Sequence, residues 1–205
     1  MDGIVIMNKG KNVTSHDVVY KVKKIFNEKV GHTGTLDPNA TGVLPLLIGK
    51  GTKLSKYLIE HDKIYIARVK LGKKTETADI EGKVIQEKEV DKSLLTNEHI
   101  QNVLNTFLGK SYQIPPMYSA IKVNGKKLYE YARCGEIIEI QKREIEVYNI
   151  KLTNFDVNGL FIDFEVHCSK GTYIRSLCED IAEKLNTVGY MEELQRIKVR
   201  KIYYK

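Results

Sequence analysis

The chain is short of several things that would fix its class at once. Its three cysteines, Cys134, Cys168 and Cys178, are an odd number with no C-x-x-C pair, which argues against a disulfide framework and a thiolate zinc site. They read as reduced thiols. No window approaches the length of a membrane span, and the N-terminus opens on a short apolar pattern, Gly3 to Met7, rather than on a basic region followed by a long hydrophobic core. A cytoplasmic location without membrane contact is expected. Internal repeats, low-complexity tracts and flexible linkers are absent too, so a single domain is expected, with room for a lobe. The five histidines show no H-E-x-x-H or other metal-binding spacing, and no metal site is expected. Gly49-Lys50-Gly51-Thr52 resembles the end of a phosphate loop, but six residues separate Gly42 from Gly49 and Gly51 stands where Ser or Thr is needed.

What is present is a globular, basic chain. Its 205 residues suffice for a substantial core, and a charged fraction of 29% argues against disorder. Thirty-three basic residues against 26 acidic give a net charge of +7, with the excess at both ends. Lys9, Lys11, Lys21, Lys23, Lys24 and Lys29 load the beginning, while Arg196, Lys198, Arg200, Lys201 and Lys205 follow Leu194 without an acidic neighbour. That distribution suits a polyanionic partner.

Period and punctuation predict an α+β order. Ile4 to Met7 reads as a buried strand, followed by a helix opening at Thr14 or Ser15, with Ser15 able to cap it and Val18, Val22, Ile25 and Phe26 on one face. Leu54, Tyr57 and Leu58 mark a second helix, and Lys63 to Gly72 reads as a strand with Tyr65, Ala67, Val69 and Leu71 pointing one way. A third helix carries Ile100, Val103, Leu104, Phe107 and Leu108. Ile145 to Leu152 and Leu160 to Cys168 form a strand pair around Asn158-Gly159. Thr172 begins a helix with Ile174, Leu177, Ile181 and Leu185 inward, and the stretch from Leu194 to Tyr204 reads as a strand. Between these, residues 110 to 135 interleave Pro115, Pro116 and Gly125 with lysines and Tyr112, Tyr118, Tyr129 and Tyr131, the composition of a binding excursion.

The densest information lies at residues 31 to 53, GHTGTLDPNATGVLPLLIGKGTK. Gly31, Gly34 and Gly42 permit unusual backbone angles, and Pro38 biases Asp37 toward an extended conformation, so a carboxylate is presented on a rigid turn ahead of the apolar anchor Val43 to Ile48. Alone, an aspartate before proline would usually close an Asx-type turn.

The unbroken run from Gly31 to Pro45 resembles the G-H-T-G-[TA]-L-D-P-x-A-x-G-x-L-P block of the TruB family of tRNA pseudouridine synthases. The resemblance continues through Gly49 to Lys53, Lys63 to Tyr65, Ile114 to Gly135, His167 to Arg175 and Leu194 to Arg196, and so covers nearly the whole chain in the family's order. It implies the pseudouridine synthase fold, an α+β arrangement with a mixed, largely antiparallel central sheet, flanking helices and an RNA-gripping insertion near residues 110 to 141 of a catalytic domain spanning 1 to 205. It implies isomerisation of the uridine at position 55 in the T loop of tRNA, on a flipped base, by a monomer without guide RNA. The chemistry needs no cofactor and no metal.

The resemblance also assigns residues. Asp37 is the nucleophile, and Arg175, closing Ser169-Lys170-Gly171-Thr172-Tyr173-Ile174, is the cation that pairs with it. A cation in the first turn of a helix is disfavoured by the dipole, so Arg175 calls for an anionic partner. Tyr65 packs against the uracil and assists removal of its C5 proton, His32 supports the displaced nucleotide, and Leu194 is the apolar floor beneath the base. Lys9 stands where the family has a Lys-Pro pair and is expected to bind substrate, though Gly10 follows it here and Asn12 replaces a usual glycine. In the excursion, Lys122, Lys126, Lys127 and Arg133 supply phosphate contacts to the T stem-loop, with Tyr129 and Tyr131 as aromatic surface. Family members commonly continue into a small C-terminal RNA-binding PUA domain, and this sequence, which stops at Lys205, is expected to lack one. Two rivals remain beside the enzyme: a tRNA-binding or tRNA-folding protein in which refolding outweighs chemistry, and an acid-base hydrolase using Asp37, for which no second carboxylate stands in the motif set.

Overall fold

The computed structural model describes residues 1–58, 61–136, 138–199 and 202–203. Arg200, Lys201 and Lys205 of the basic tail, and Tyr204 of the strand expected there, lie outside the described residues. In chain order the elements are β1 (Gly3–Lys9), α1 (Ser15–Phe26), β2 (Val30–His32), β3 (Thr41–Ile48), α2 (Ser55–Leu58), β4 (Lys63–Leu71), β5 (Lys73–Thr75), β6 (Val84–Glu87) and α3 (Asn97–Asn105). There follow β7 (Gly109–Gln113), β8 (Lys122–Val123), β9 (Lys126–Lys127), α4 (Leu128–Arg133), β10 (Arg143–Asp156), β11 (Phe161–Cys168), α5 (Ile174–Lys184), β12 (Gly189–Val199) and β13 (Ile202–Tyr203). The large sheet has the order β1-β3-β12-β4-β11-β10-β7, with β2 also on β3 and β13 on β12. It is mixed: β1 and β3, β2 and β3, and β7 and β10 pair antiparallel, whereas β3 and β12 pair parallel.

Contacts divide the chain into two compact units. The first comprises Met1–Ile66, His167–Lys170 and Glu193–Lys205. Its centre is β3, where Val43, Leu44, Leu46, Leu47 and Ile48 are all at most 2% exposed, the signature of a strand covered on both faces. Burial of each such side chain contributes roughly 1.5–3 kcal/mol. Helix α1 starts with a capping box in which the Thr14 side chain accepts from the Asp17 N–H and the Asp17 carboxylate accepts from the Thr14 N–H. Thr14 is therefore the cap, and the Ser15 hydroxyl is released for a contact described below. Val18, Val19 and Val22 are buried as the period requires, but Ile25 is 75% exposed, because it sits in the last turn before the left-handed Asn27.

The second unit comprises Ala67–Val166 and Gly171–Glu192. Strand β4, whose residues up to Ile66 belong to the first unit, alternates strictly, with Lys63, Tyr65, Ala67, Val69 and Leu71 on its buried face, and α5 buries Ile174, Leu177, Ile181 and the following Leu185. Helix α3 stops at Asn105, earlier than its apolar pattern suggested, and Phe107 continues in a turn whose N–H reaches the Leu104 carbonyl. Strands β10 and β11 are joined through residues 157–160, where the Asn158 N–H closes an Asx turn on Asp156 and Leu160 takes φ +49°. In the excursion, Asn124 and Gly125 adopt φ +50° and +83° and turn the chain between β8 and β9, an Asn-Gly hairpin leading into α4.

Candidate active site

In the first unit the loop between β2 and β3 carries Asp37, and it is pinned on either side of that residue. Before it, the Ser15 hydroxyl donates to the Leu36 carbonyl at 3.0 Å and accepts from the Leu36 N–H at 2.9 Å. After it, Lys9 reaches in from the end of β1. Its ammonium donates to the carbonyls of Gly10 at 3.0 Å, Val13 at 2.5 Å and Pro38 at 2.9 Å, and the residue is only 1% exposed. Lys9 is thus a strut for the loop, its ammonium buried among main-chain carbonyls. The Asp37 carbonyl accepts from the Ala40 N–H at 3.0 Å and closes the turn, leaving the carboxylate half-buried.

Only one of the three loop glycines is left-handed. Gly42 has φ +105°, and a Cβ there would lie 2.2 Å from the Arg196 carbonyl oxygen, so glycine is what lets β12 pair in parallel at this point. Gly34 has φ +159°, and a Cβ there would make only ordinary contact, 3.4 Å from Arg196 Nη1 and 3.7 Å from Lys63 Cε. Gly31 has open surroundings and no positive φ, so it supplies no unusual angle.

Beside the loop, Tyr65 is 8% exposed and its phenol is hydrogen-bonded by the Arg196 side chain. Burial pushes the phenol up to about 12, against the Arg196 charge, while Cys168 and the Asp37 carboxylate act with burial. Tyr65 is consequently a protonated phenol at neutral pH. Lys63, two residues before it on the same buried face, is brought down to about 8 by burial and then by the Arg196 charge, and donates to the His61 carbonyl at 2.5 Å. His32 Nδ1 accepts from the Gly34 N–H at 3.3 Å, which leaves the proton of the neutral ring on Nε2. Burial, then Arg196 and His16, lower its pKa and keep the ring neutral. Leu194, 8% exposed, precedes Arg196 by two positions on β12 and so shares its face.

Sequence reasoning overlooked Arg196 and Lys63 as members of this group. Both were visible as the neighbours, two residues away in a strand, of residues that were singled out.

Arg175 belongs to the second unit, in the first turn of α5, and is 7% exposed. Its guanidinium donates to Tyr118 O at 2.9 Å and Thr77 O at 3.1 Å and forms an ion pair with Asp79 at 3.4 Å. The anionic partner demanded by its place on the helix therefore includes Asp79, in a tight turn where the carboxylate also accepts from Thr77 and from the Glu81 N–H. The sequence stretch Thr75 to Gly82 had not been singled out.

The excursion gathers cations around two tyrosines. Lys127 and Arg133 lie 5.2 and 5.3 Å from the Tyr129 ring centre, with the Lys127 ammonium 3.0 Å from its hydroxyl, and Lys126 lies 5.6 Å from the ring centre of Tyr131. Lys122, Lys126 and Arg133 are exposed and Tyr131 is anchored through its hydroxyl to the Val123 carbonyl. Among the described residues no group of three or more His, Cys, Asp or Glu could hold a metal ion, and no helix is long and apolar enough to cross a membrane.

Comparison with known proteins places this geometry in context. Residues 22–174 match the TruB family pseudouridylate synthase (N terminal domain) profile. The chain is 50% identical over 199 residues to tRNA pseudouridine synthase B of Oceanobacillus iheyensis, covering 97% of this chain and 65% of that protein. It is 47% identical over 197 residues to the protein of the same name from Francisella tularensis subsp. tularensis, covering 96% and 64%. It thus spans just under two thirds of the length of those two relatives. Among solved structures, a chain of a Cbf5-Nop10-Gar1 complex superposes with a TM-score of 0.72 at 31% identity, covering 96% of this chain and 48% of that one. A chain of an H/ACA RNP bound to a substrate RNA containing 2'-deoxyuridine gives 0.68 at 28%, covering 96% and 47%. With its Asp37 loop intact and half its residues shared with curated relatives along almost its entire length, the chain belongs to the TruB family of pseudouridylate synthases.

Proposed function

We propose that this chain isomerises uridine to pseudouridine at position 55 in the T loop of tRNA, as a cytoplasmic monomer, without a guide RNA. The observation that carries the reading is the 50% identity, over 97% of the chain, to a tRNA pseudouridine synthase B, with Asp37 held in a loop fixed on both sides. The reaction breaks the C1′–N1 glycosidic bond, turns the uracil and forms a C1′–C5 bond. The C5 proton leaves and N1 gains one, so nothing is oxidised and no co-reactant is consumed. Asp37 supplies the carboxylate for glycosidic cleavage. The Tyr65 ring and Leu194 hold the loose base, His32 supports the displaced nucleotide, and Arg175 acts as the essential cation of the motif that ends on it. Lys122, Lys126, Lys127 and Arg133, with Tyr129, grip the T stem-loop through phosphate contacts and stacking.

A second reading, catalysis directed by a guide RNA, draws on the 31% identity to the chain of the Cbf5-Nop10-Gar1 complex. One assay separates them. An unmodified tRNA transcript incubated with this chain alone is expected to carry pseudouridine at position 55 and nowhere else. Modification only after a guide RNA is added would favour the second reading, and none under either condition would remove the enzymatic assignment.

A further inference from the structure

We propose that Arg196 is a positioning residue, which fixes the Tyr65 phenol against the loop that carries Asp37. Arg196 is 1% exposed, among the most deeply buried large side chains of the protein. Its Nε donates to the Val43 carbonyl at 2.8 Å and its Nη2 to the Gly34 carbonyl at 3.1 Å, so one guanidinium grips both ends of segment 34–43, with Asp37 between. The same side chain hydrogen-bonds the Tyr65 phenol. Its backbone is registered on that segment too, because Arg196 pairs with Gly42 where β12 and β3 run parallel.

The planar fork of arginine is what makes this possible. Five N–H donors in fixed directions can serve two carbonyls and a phenol at once, whereas the compact ammonium of lysine cannot span them. Among the described residues the partners of Arg196 are carbonyls and a phenol rather than a carboxylate, and Lys63 lies close by as a second cation. A buried charge so placed is costly to keep for stability alone, since well-packed apolar residues serve a core as well or better. Retention of the charge beside a phenol and a catalytic loop fits a role in geometry and field: Arg196 favours the phenolate while burial disfavours it, and it sets where the hydroxyl stands relative to Asp37.

The inference uses the functional reading above only for its activity arm, and one arm is independent of it. In Arg196→Lys, backbone amides of segment 34–43 should exchange with deuterium at least tenfold faster while those of α5 are unchanged, a result that needs no RNA. On tRNA the variant should lose at least tenfold in kcat with KM within twofold. In a Tyr65→Phe background the same substitution should cost at least threefold less in kcat, because the hydroxyl it would misplace is gone; a general loss of stability would not depend on that background. Arg196→Gln, which keeps a planar donor group but shortens its reach and removes the charge, should change exchange and kcat in the same direction, and it serves if Arg196→Lys does not fold. Exchange in segment 34–43 unchanged in both variants would overturn the proposal. So would a kcat within threefold of the parent, a loss carried by KM alone, or equal losses with and without the Tyr65 hydroxyl. If no protein of the set modifies tRNA, the functional reading fails and the exchange measurement alone decides the clamp.

Discussion

The ammonium of Lys9 stands 2.9 Å from the carbonyl oxygen of Pro38, so the end of the first strand is fastened to the residue that follows Asp37. Replacement by methionine keeps the length and removes three hydrogen bonds. Lys9→Met should cost about 2–4 kcal/mol, because the carbonyls of Gly10, Val13 and Pro38 lose a charged donor in a buried place. A lower urea midpoint with an unchanged salt dependence of tRNA binding is expected. A salt slope reduced by about one would instead place Lys9 among the phosphate contacts.

Asp37→Asn preserves size and the turn made by its main chain, since the Ala40 N–H bonds the Asp37 carbonyl and not its side chain. Thermal unfolding should stay within a few degrees of the parent while pseudouridine formation falls to background. Activity within tenfold of the parent would take Asp37 out of the central role.

Lys63 gives a pH-dependent prediction with a definite sign. Its folded-state pKa of about 8 lies below the ordinary 10.5, so between those values the unfolded chain holds a proton that the folded one has lost. Stability of the parent should therefore rise across this window relative to Lys63→Met. Below pH 8 the buried charge is a penalty of up to about 3 kcal/mol at 1.4 kcal/mol per unit, partly offset by its bond to the His61 carbonyl. Lys63→Met is thus expected to be the more stable protein at pH 7, with the gap closing toward pH 10. Urea midpoints measured across that range would show parallel curves if Lys63 kept an ordinary pKa.

The cations of the excursion should act through phosphate. Lys126→Ala is expected to weaken tRNA binding several-fold and lower the log-log salt slope by about one, whereas Tyr129→Leu should weaken binding with the slope unchanged, since stacking releases no counterions. Filter binding across a salt series separates the two. Equal slopes for Lys126→Ala and the parent would place Lys126 outside the RNA contact.

How much of this was legible beforehand depends on what each residue answers to. Strand β4 was readable because alternation is a local property, and the same alternation carried back two positions from Tyr65 would have put Lys63 on the buried face, a step the sequence reading did not take. The buried run of β3 and the inward face of α5 followed from period in the same way. The end of α3 and the exposure of Ile25 were not readable, because where a helix leaves its packed face depends on what lies beside it. Ser15 was understood as a cap because a hydroxyl at a helix start usually is one, yet its neighbour Thr14 took that place through Asp17. Neither Lys9 on Pro38 nor Arg196 on Gly34 has any local signature, since each joins residues brought together only by the folded sheet. Asp37 was singled out for another reason: a whole block of resemblance surrounds it.

The grip of Arg196 on Gly34 also orders events in time. The two residues are 162 positions apart, so a growing chain emits the Asp37 loop long before the arginine that closes on it. Until β12 has been synthesised and has added itself alongside β3, segment 34–43 is held from the side of Lys9 and Ser15 but not from the other. A nascent chain paused before that strand would carry every residue of the Asp37 block and still lack the fixed distance between carboxylate and phenol. Completion of the centre thus coincides with the addition of β12 to the sheet.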